Sequence, residues 1–324
     1  MSVVVVTDHP WPSLDIEAEV LRPAGARLVD AQDADPRRLR ELTRDAVAIM
    51  TCFARVDADI IDNARRLRVV ARTGVGVDNI DVAAATARGI PVTNVPAYCI
   101  DEVAEHVIAL AMALRRGIAA YDRSVRRGEW SLVAGQPIRR LAGRTFGVLG
   151  YGRIGAATAG RARALGFRVI AHAPELGSGS VDGEGVEGVT LDDLARRSDV
   201  ISLHAPLTDA TRHIVDERFL AAMKGDAVLI NAARGGLVDG GALVRALRAG
   251  RIGGAGLDVF EHEPLDPDDP LLSAPNTLLT PHVAYYSEES LSDLTRLAAE
   301  SVAAVLTGGE PASVVNPGVY RSRI

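Results

Sequence analysis

The chain has 324 residues, 48% of them hydrophobic and 24% charged, with a net charge of -6. That length suits two domains, each burying its own core, and the composition is that of a globular protein. The negative balance removes any electrostatic ground for a nucleic acid or an anionic membrane as partner, and no run nears the ~20 apolar residues of a membrane span. Cys52 and Cys99 cannot build a disulfide framework and lack metal-ligand spacing, so no metal is expected and a reducing, cytoplasmic setting is. The opening SVVVVTDHP reads as a first strand rather than a signal peptide.

Residues 3–6 are a continuous β-branched run, the pattern of a strand buried on both faces of a parallel sheet. Helices are expected over 14–21, 36–43 and 58–64, and strands over 26–29, 46–50 and 69–72. This alternation predicts right-handed crossovers and a parallel sheet. The fourth strand runs into TGVGVDNID, where the amides of Val75 and Gly76 form either a plain βα turn or a nest for a carboxylate. A short strand over 90–92 and a break at 94–96 precede a long apolar-faced helix, 101–114, where the chain crosses between domains. His106 on that helix reads as a packing residue. Residues 115–143 are rich in arginine and hold Trp130; they are either a solvated loop or an arm for a homodimer contact through this domain.

Residues 146–149 form a short apolar strand, followed by Gly150, Tyr151, Gly152, Arg153, Ile154 and Gly155 in the order G-x-G-x-x-G, and then by a helix over 156–165. Gly150 makes the tight turn, Gly152 lets a pyrophosphate reach the backbone, and Gly155 lets the helix pack close to the sheet with its free N–H groups facing the phosphates. The next strand, 168–171, is followed by Ala173 where an acid binding the adenosine ribose is expected. Residues 171–194 contain no Arg or Lys but several acids, which favours NAD over NADP and makes Glu175 the substitute candidate. Strands over 200–203, 227–230, 257–260 and 277–279 and a helix over 242–249 complete this domain. A second long helix, 287–306, leads back to the first.

Arg234, Glu263 and His282 each follow one of the last three of these strands, at the sheet edge where ligands bind in open α/β folds. Arginine grips a carboxylate bidentately and polarises a carbonyl. Histidine gives or takes the hydroxyl proton as hydride moves, and a carboxylate beside it stabilises the imidazolium. Each residue alone has a bland reading as a surface or loop side chain; their common placement favours the catalytic one. The only lysine, Lys224, sits in a Met-Lys-Gly-Asp turn, which argues against a lysine-dependent β-hydroxyacid dehydrogenase.

The segments VARTGVGVDNID, VAEHVIALAMAL, FGVLGYGRIG, INAARGGLVDGGAL, GGAGLDVFEHEPL and TPHVAYYSEES together resemble the D-isomer-specific 2-hydroxyacid dehydrogenases over nearly the whole chain. The resemblance implies two doubly wound parallel-sheet α/β domains with an interdomain cleft. A Rossmann-type nucleotide domain, 100–284, is inserted into a flavodoxin-like substrate domain, 1–99 and 285–324. It implies an NAD-dependent interconversion of a 2-oxo acid and its D-2-hydroxy acid, with Arg234 orienting substrate, His282 as acid/base and Glu263 as its partner. Cofactor contacts are implied from Val75, Tyr151, Arg153, Ile154, Ala205, Pro206, Leu207, Ala232, Ala233, Arg234, Asp258 and His282. Substrate contacts are expected from Phe53, Val75, Gly76, Arg234 and Tyr285. Tyr285, three positions after His282, is similar to the C-terminal-binding-protein branch, whose members suggest a second reading: an NAD-sensing dimeric scaffold. Relatives acting on phosphoglycerate carry an arginine near Thr51, where this chain has Thr-Cys-Phe. Glu263 replaces the glutamine of formate dehydrogenases, and no lysine accompanies 74–77 as in phosphite dehydrogenases.

Overall fold

A computed structural model describes residues 2–33, 35–135 and 137–321. In chain order the first part runs β1 (Ser2–Val6), α1 (Asp15–Leu21), β2 (Ala26–Asp30), α2 (Pro36–Thr43), β3 (Ala48–Thr51), α3 (Ala58–Asn63), β4 (Val69–Arg72), α4 (Val82–Ala87) and β5 (Val92–Thr93). The middle holds α5 (Ile100–Arg115), α6 (Ile118–Arg126), β6 (Thr145–Leu149), α7 (Arg153–Ala164), β7 (Arg168–His172), β8 (Glu187–Gly188), α8 (Leu191–Arg197), β9 (Val200–Leu203), α9 (Glu217–Ala222), β10 (Val228–Asn231), α10 (Gly240–Arg248), β11 (Gly254–Leu257) and β12 (Thr277–Leu279). The chain ends with α11 (Glu288–Thr307) and α12 (Gly318–Arg321). It divides into two compact units, Met1–Tyr98 with Ser287–Ile324, and Cys99–Tyr286.

In the first unit the strands are ordered β2-β1-β3-β4-β5, all parallel. Successive side chains on a strand point to opposite faces, so a sheet covered on both sides needs unbroken apolar runs. Val4, Met50, Val69 and Ala71 meet Leu294, Ala298 and Val302 of α11 on one face. On the other, Ile49, Val70 and Val92 meet Leu39 of α2 and Ile60 and Ile61 of α3. Ile49, Ile60 and Ile61 are fully buried, each stabilising by about 1.5–3 kcal/mol. Asp35, Asp57 and Asp81 cap α2, α3 and α4 by accepting first-turn N–H groups.

The second unit carries a parallel sheet of order β12-β11-β10-β9-β6-β7-β8. The order reverses between β6 and β9, so the carboxyl ends of those two strands flank the crevice of a doubly wound sheet. Leu149, Ile201, Leu203, Leu229 and Leu257 pack on Leu194, Leu220, Leu243 and Leu247 of α8, α9 and α10. On the other face α5 lies over β10 and β11 and against α7. A Cβ on Gly256 would come within 3.1 Å of Leu110 Cβ, so this strand is glycine-rich because α5 presses on it.

That packing explains one difference from the sequence reading. The strand expected at 257–260 is β11, Gly254–Leu257, three residues earlier. Gly-Ala-Gly-Leu carries none of the β-branched bulk by which a strand is usually recognised. The stretch 115–143 holds the helix α6, and Trp130, Leu132 and Val133 in it are exposed. Among the described residues no helix is long and apolar enough to cross a membrane, and no cluster of His, Cys, Asp or Glu would hold a metal.

Candidate active site

The glycine turn lies at the topological reversal of the second unit. Gly150 has φ +94°, and a Cβ there would stand 2.5 Å from the Ala205 amide at the end of β9. A Cβ on Gly155 would collide with the Gly150 carbonyl. Packing therefore dictates both glycines. Gly152 differs: a Cβ there would meet nothing within 4 Å. It is the N-cap of α7 and supplies no side-chain cap to the first-turn amides. A bare backbone with open space at a helix start fits the pyrophosphate of a dinucleotide.

At the end of β7, Ala173 is buried and its carbonyl accepts the Leu176 N–H at 3.1 Å, closing a turn that exposes Pro174 and Glu175. Tyr151 donates to Asp182 Oδ2 at 2.7 Å, tying the glycine turn to the acidic loop. Burial, and then that bond, push the Tyr151 hydroxyl up to about 12. Past β9, Ala205 is buried, Pro206 is exposed, and Leu207 packs on Gly236.

At the end of β10, buried Asn231 organises the next turn. Its Oδ1 accepts the Ala233 N–H at 3.1 Å and its Nδ2 donates to the Arg234 carbonyl at 2.9 Å, fixing Ala232, Ala233 and Arg234. Arg234 Nη1 donates to the Ala233 carbonyl at 2.7 Å. Gly235 is pressed against the Phe260 peptide, with no room for a Cβ. The turn bearing Arg234 thus touches the turn leading to Glu263.

Glu263 joins two of these turns. Oε1 accepts the Phe260 N–H at 2.8 Å, and Oε2 lies 2.7 Å from His282 Nδ1. Burial raises the Glu263 carboxyl, but the His282 bond and charge, the Phe260 amide and the Arg234 charge outweigh it and leave it below the usual carboxylate range. His282 itself sits at φ +54°. Asp258 holds it there. The Asp258 carbonyl accepts the His282 N–H at 2.8 Å, and the fully buried carboxylate accepts Thr280 Oγ1, Val283 N and Ala284 N at 2.6–2.9 Å. His106 Nε2 lies 3.0 Å from Thr280 Oγ1, so this half-buried side chain belongs to the same network. The Tyr285 ring stands edge-on to His282 at 6.3 Å.

Arg234, Glu263, His282 and Tyr285 are thus brought together on adjoining strand ends of one unit. The sequence reading missed Asn231 and Thr280; a polar residue at the tip of an otherwise apolar strand, in INAARGG and LLTPH, is the signal that marks them. A cavity of about 380 Å³ behind these turns, with Leu243, Val259, Phe260 and Leu271 in its lining, includes none of Arg234, Glu263 and His282. Phe53, Val75 and Gly76 belong to the first unit, at the carboxyl ends of β3 and β4. Phe53 is 43% exposed and its N–H donates to Asp8 Oδ2 at 2.7 Å. The Val75 carbonyl accepts Asn94 Nδ2 at 2.7 Å.

Residues 108–284 match the family model of the D-isomer specific 2-hydroxyacid dehydrogenase, NAD binding domain. The chain belongs to this family. It is 43% identical over 288 residues to the glyoxylate reductase of Korarchaeum cryptofilum, covering 87% of this chain and 86% of that protein. Its fold is similar to D-lactate dehydrogenase from Aquifex aeolicus complexed with NAD and lactic acid, with a TM-score of 0.87, 29% identity, and 97% and 99% of the two chains covered. It is likewise similar to the NADPH-dependent glyoxylate/hydroxypyruvate reductase of Sinorhizobium meliloti in complex with NADP and malonate, with a TM-score of 0.85, 34% identity, and 97% and 96% covered. These dehydrogenases are 2-hydroxyacid oxidoreductases using a nicotinamide cofactor. The likeness of Tyr285 to the C-terminal-binding-protein branch is a likeness of motif alone.

Proposed function

We propose that the protein is an NAD-dependent dehydrogenase interconverting a 2-oxo acid and its D-2-hydroxy acid. The observation that carries this reading is the 2.7 Å contact of Glu263 with His282 Nδ1, beside Arg234, in the unit matched by the NAD-binding model. With Nδ1 held by an ionised carboxylate, His282 Nε2 is the atom that gives its proton to the substrate carbonyl oxygen in reduction and recovers it in oxidation. Glu263 stabilises the imidazolium before that transfer. Arg234 takes the substrate carboxylate and polarises the carbonyl. A bound nicotinamide supplies or accepts the hydride.

The Gly152–Gly155 turn and the first-turn amides of α7 would hold the pyrophosphate, with Ala205, Pro206, Leu207 and the Ala232–Arg234 turn along the crevice. NAD is favoured over NADP because Glu175 stands at the tip of β7 and residues 171–194 offer no cation to a 2′-phosphate. Small 2-oxo acids such as glyoxylate enter as candidates through the relatives' names. The test is a panel of 2-oxo acids with NADH and with NADPH, read by loss of nicotinamide absorbance and by chiral analysis of the product. The reading predicts NADH consumption and a D product; an L product, or no consumption with any member, refutes it. The scaffold reading has no observation of its own in favour.

A further inference from the structure

Helix α5 meets the sheet of its own unit with a stripe of apolar side chains, and Val103, Val107 and Leu110 in that stripe are buried. His106 falls on the same stripe by helical spacing. Its Nε2 is 3.0 Å from Thr280 Oγ1 and 3.7 Å from Asp258 Oδ1. With Asp258 a carboxylate, the hydrogens of this trio have one arrangement. A threonine hydroxyl carries a single hydrogen, and the 2.6 Å contact directs it to Asp258 Oδ1, which can only accept. Thr280 Oγ1 then faces His106 with its lone pairs, so Nε2 bears a hydrogen and donates it. Donation runs from α5 through Thr280 to buried Asp258, all within one unit.

The trio supports the backbone of His282. Its φ of +54° lies in the left-handed region, which a residue with a Cβ keeps only where its surroundings over-determine it. Asp258 does so: its carbonyl accepts the His282 amide, and its carboxylate accepts the amides of Val283 and Ala284. That carboxylate is oriented by the Thr280 hydroxyl, and the hydroxyl by His106. Resting on the dehydrogenase reading above, we propose that His106 is a positioning residue for the reaction. From α5 it fixes the Thr280 hydroxyl, which fixes Asp258, which fixes the turn presenting the His282 imidazole. A packing residue at this place needs only volume; a positioning residue needs the Nε2–H. Because a displacement of ~1 Å in a reacting group can cost about 100-fold in rate, a loosened turn is read in kcat.

The test uses His106→Leu, which keeps bulk without a donor, His106→Gln, which keeps an N–H, Thr280→Val, and the double variant His106→Leu/Thr280→Val. Each is assayed with NADH and the best 2-oxo acid of the panel. His106→Leu is expected to lose about tenfold in kcat with the KM for the acid within about threefold, and His106→Gln to stay within about threefold of wild type in kcat. Thr280→Val loses about as much as His106→Leu, and the double variant no more than the larger single loss, since both cut the same chain. Amide hydrogen exchange gives a readout apart from turnover. Val283 and Ala284 exchange about tenfold faster in His106→Leu, while the amides of β9 and β10 keep wild-type rates. Should the Leu variant not fold, nitrogen NMR of histidine-labelled wild type decides: a hydrogen on His106 Nε2 supports the proposal, and a neutral ring protonated on Nδ1 refutes it. Equal kcat in the Leu and Gln variants, single losses that multiply, or unchanged exchange at Val283 and Ala284 overturn the His106 assignment and leave the dehydrogenase reading intact. Wild type that reduces no 2-oxo acid refutes that reading, and the exchange rates still decide whether His106 holds the turn.

Discussion

Glu263 Oε2 lies 2.7 Å from His282 Nδ1, while the other oxygen of the same carboxylate is anchored 2.8 Å from the Phe260 amide. The acid is thus fixed at both oxygens. It orients the imidazole and, on the proposed reading, leaves Nε2 to meet the substrate.

Glu263→Gln preserves shape and one hydrogen bond but removes the charge. We expect kcat to fall about 100-fold with NADH affinity unchanged, within the range of general acid–base contributions. Because Glu263 is held below its ordinary value of 4.5, it stays ionised above that pH and its own protonation affects rate only below it. Steady-state kinetics from pH 5 to 9 check this; an acid limb above pH 5 that disappears in the Gln variant contradicts it.

The first two glycines of the turn separate packing from binding. Gly150→Ala puts a methyl onto the Ala205 amide at positive φ and is expected to cost about 3 kcal/mol of stability. Gly152→Ala meets open space and leaves the melting temperature within about 2 °C. Its NADH affinity falls about tenfold or more, because the methyl occupies the approach of the pyrophosphate. Calorimetry and NADH fluorescence titration measure both; equal stability losses would show that Gly152 is a packing glycine too.

On the proposed reading, cofactor choice rests on Glu175. Reversal of charge in Glu175→Arg is expected to shift the NADPH-to-NADH ratio of kcat/KM by about tenfold or more toward NADPH. An unchanged ratio removes Glu175 from the adenosine end.

His204 gives a pH signature. Burial pushes its imidazole down to about 4, so below 6.5 the unfolded chain binds a proton that the folded chain refuses. Stability contributed by neutral His204 is therefore full above pH 6.5 and declines between 6.5 and about 4. The decline is at most about 3 kcal/mol, and less because the residue is only half-buried by accessible area. Urea melts over that range should show the slope, and His204→Gln should flatten it.

Much of this was legible in the sequence because it rests on side-chain type at fixed spacing. The Gly150–Gly155 turn declares itself through residues that only close packing and phosphate approach require. Arg234, Glu263 and His282 follow strands that the alternation of elements revealed, with the limits of the last, 277–279, read as they stand. Less legible were relationships set by tertiary contact. The bounds of β11 are hidden because α5 demands glycine there. Asp258 reads as a cofactor contact, yet its carboxylate holds the Thr280–Ala284 turn that carries His282. Nothing in ART announces that the Arg72 side chain folds back over Gly74.

The most direct measurement pairs turnover with binding in one variant. In His282→Ala, oxidation of NADH by the best 2-oxo acid should fall at least about 100-fold, while NADH binds within threefold of wild type by fluorescence. Turnover near the wild-type rate, with the cofactor bound, would contradict the account.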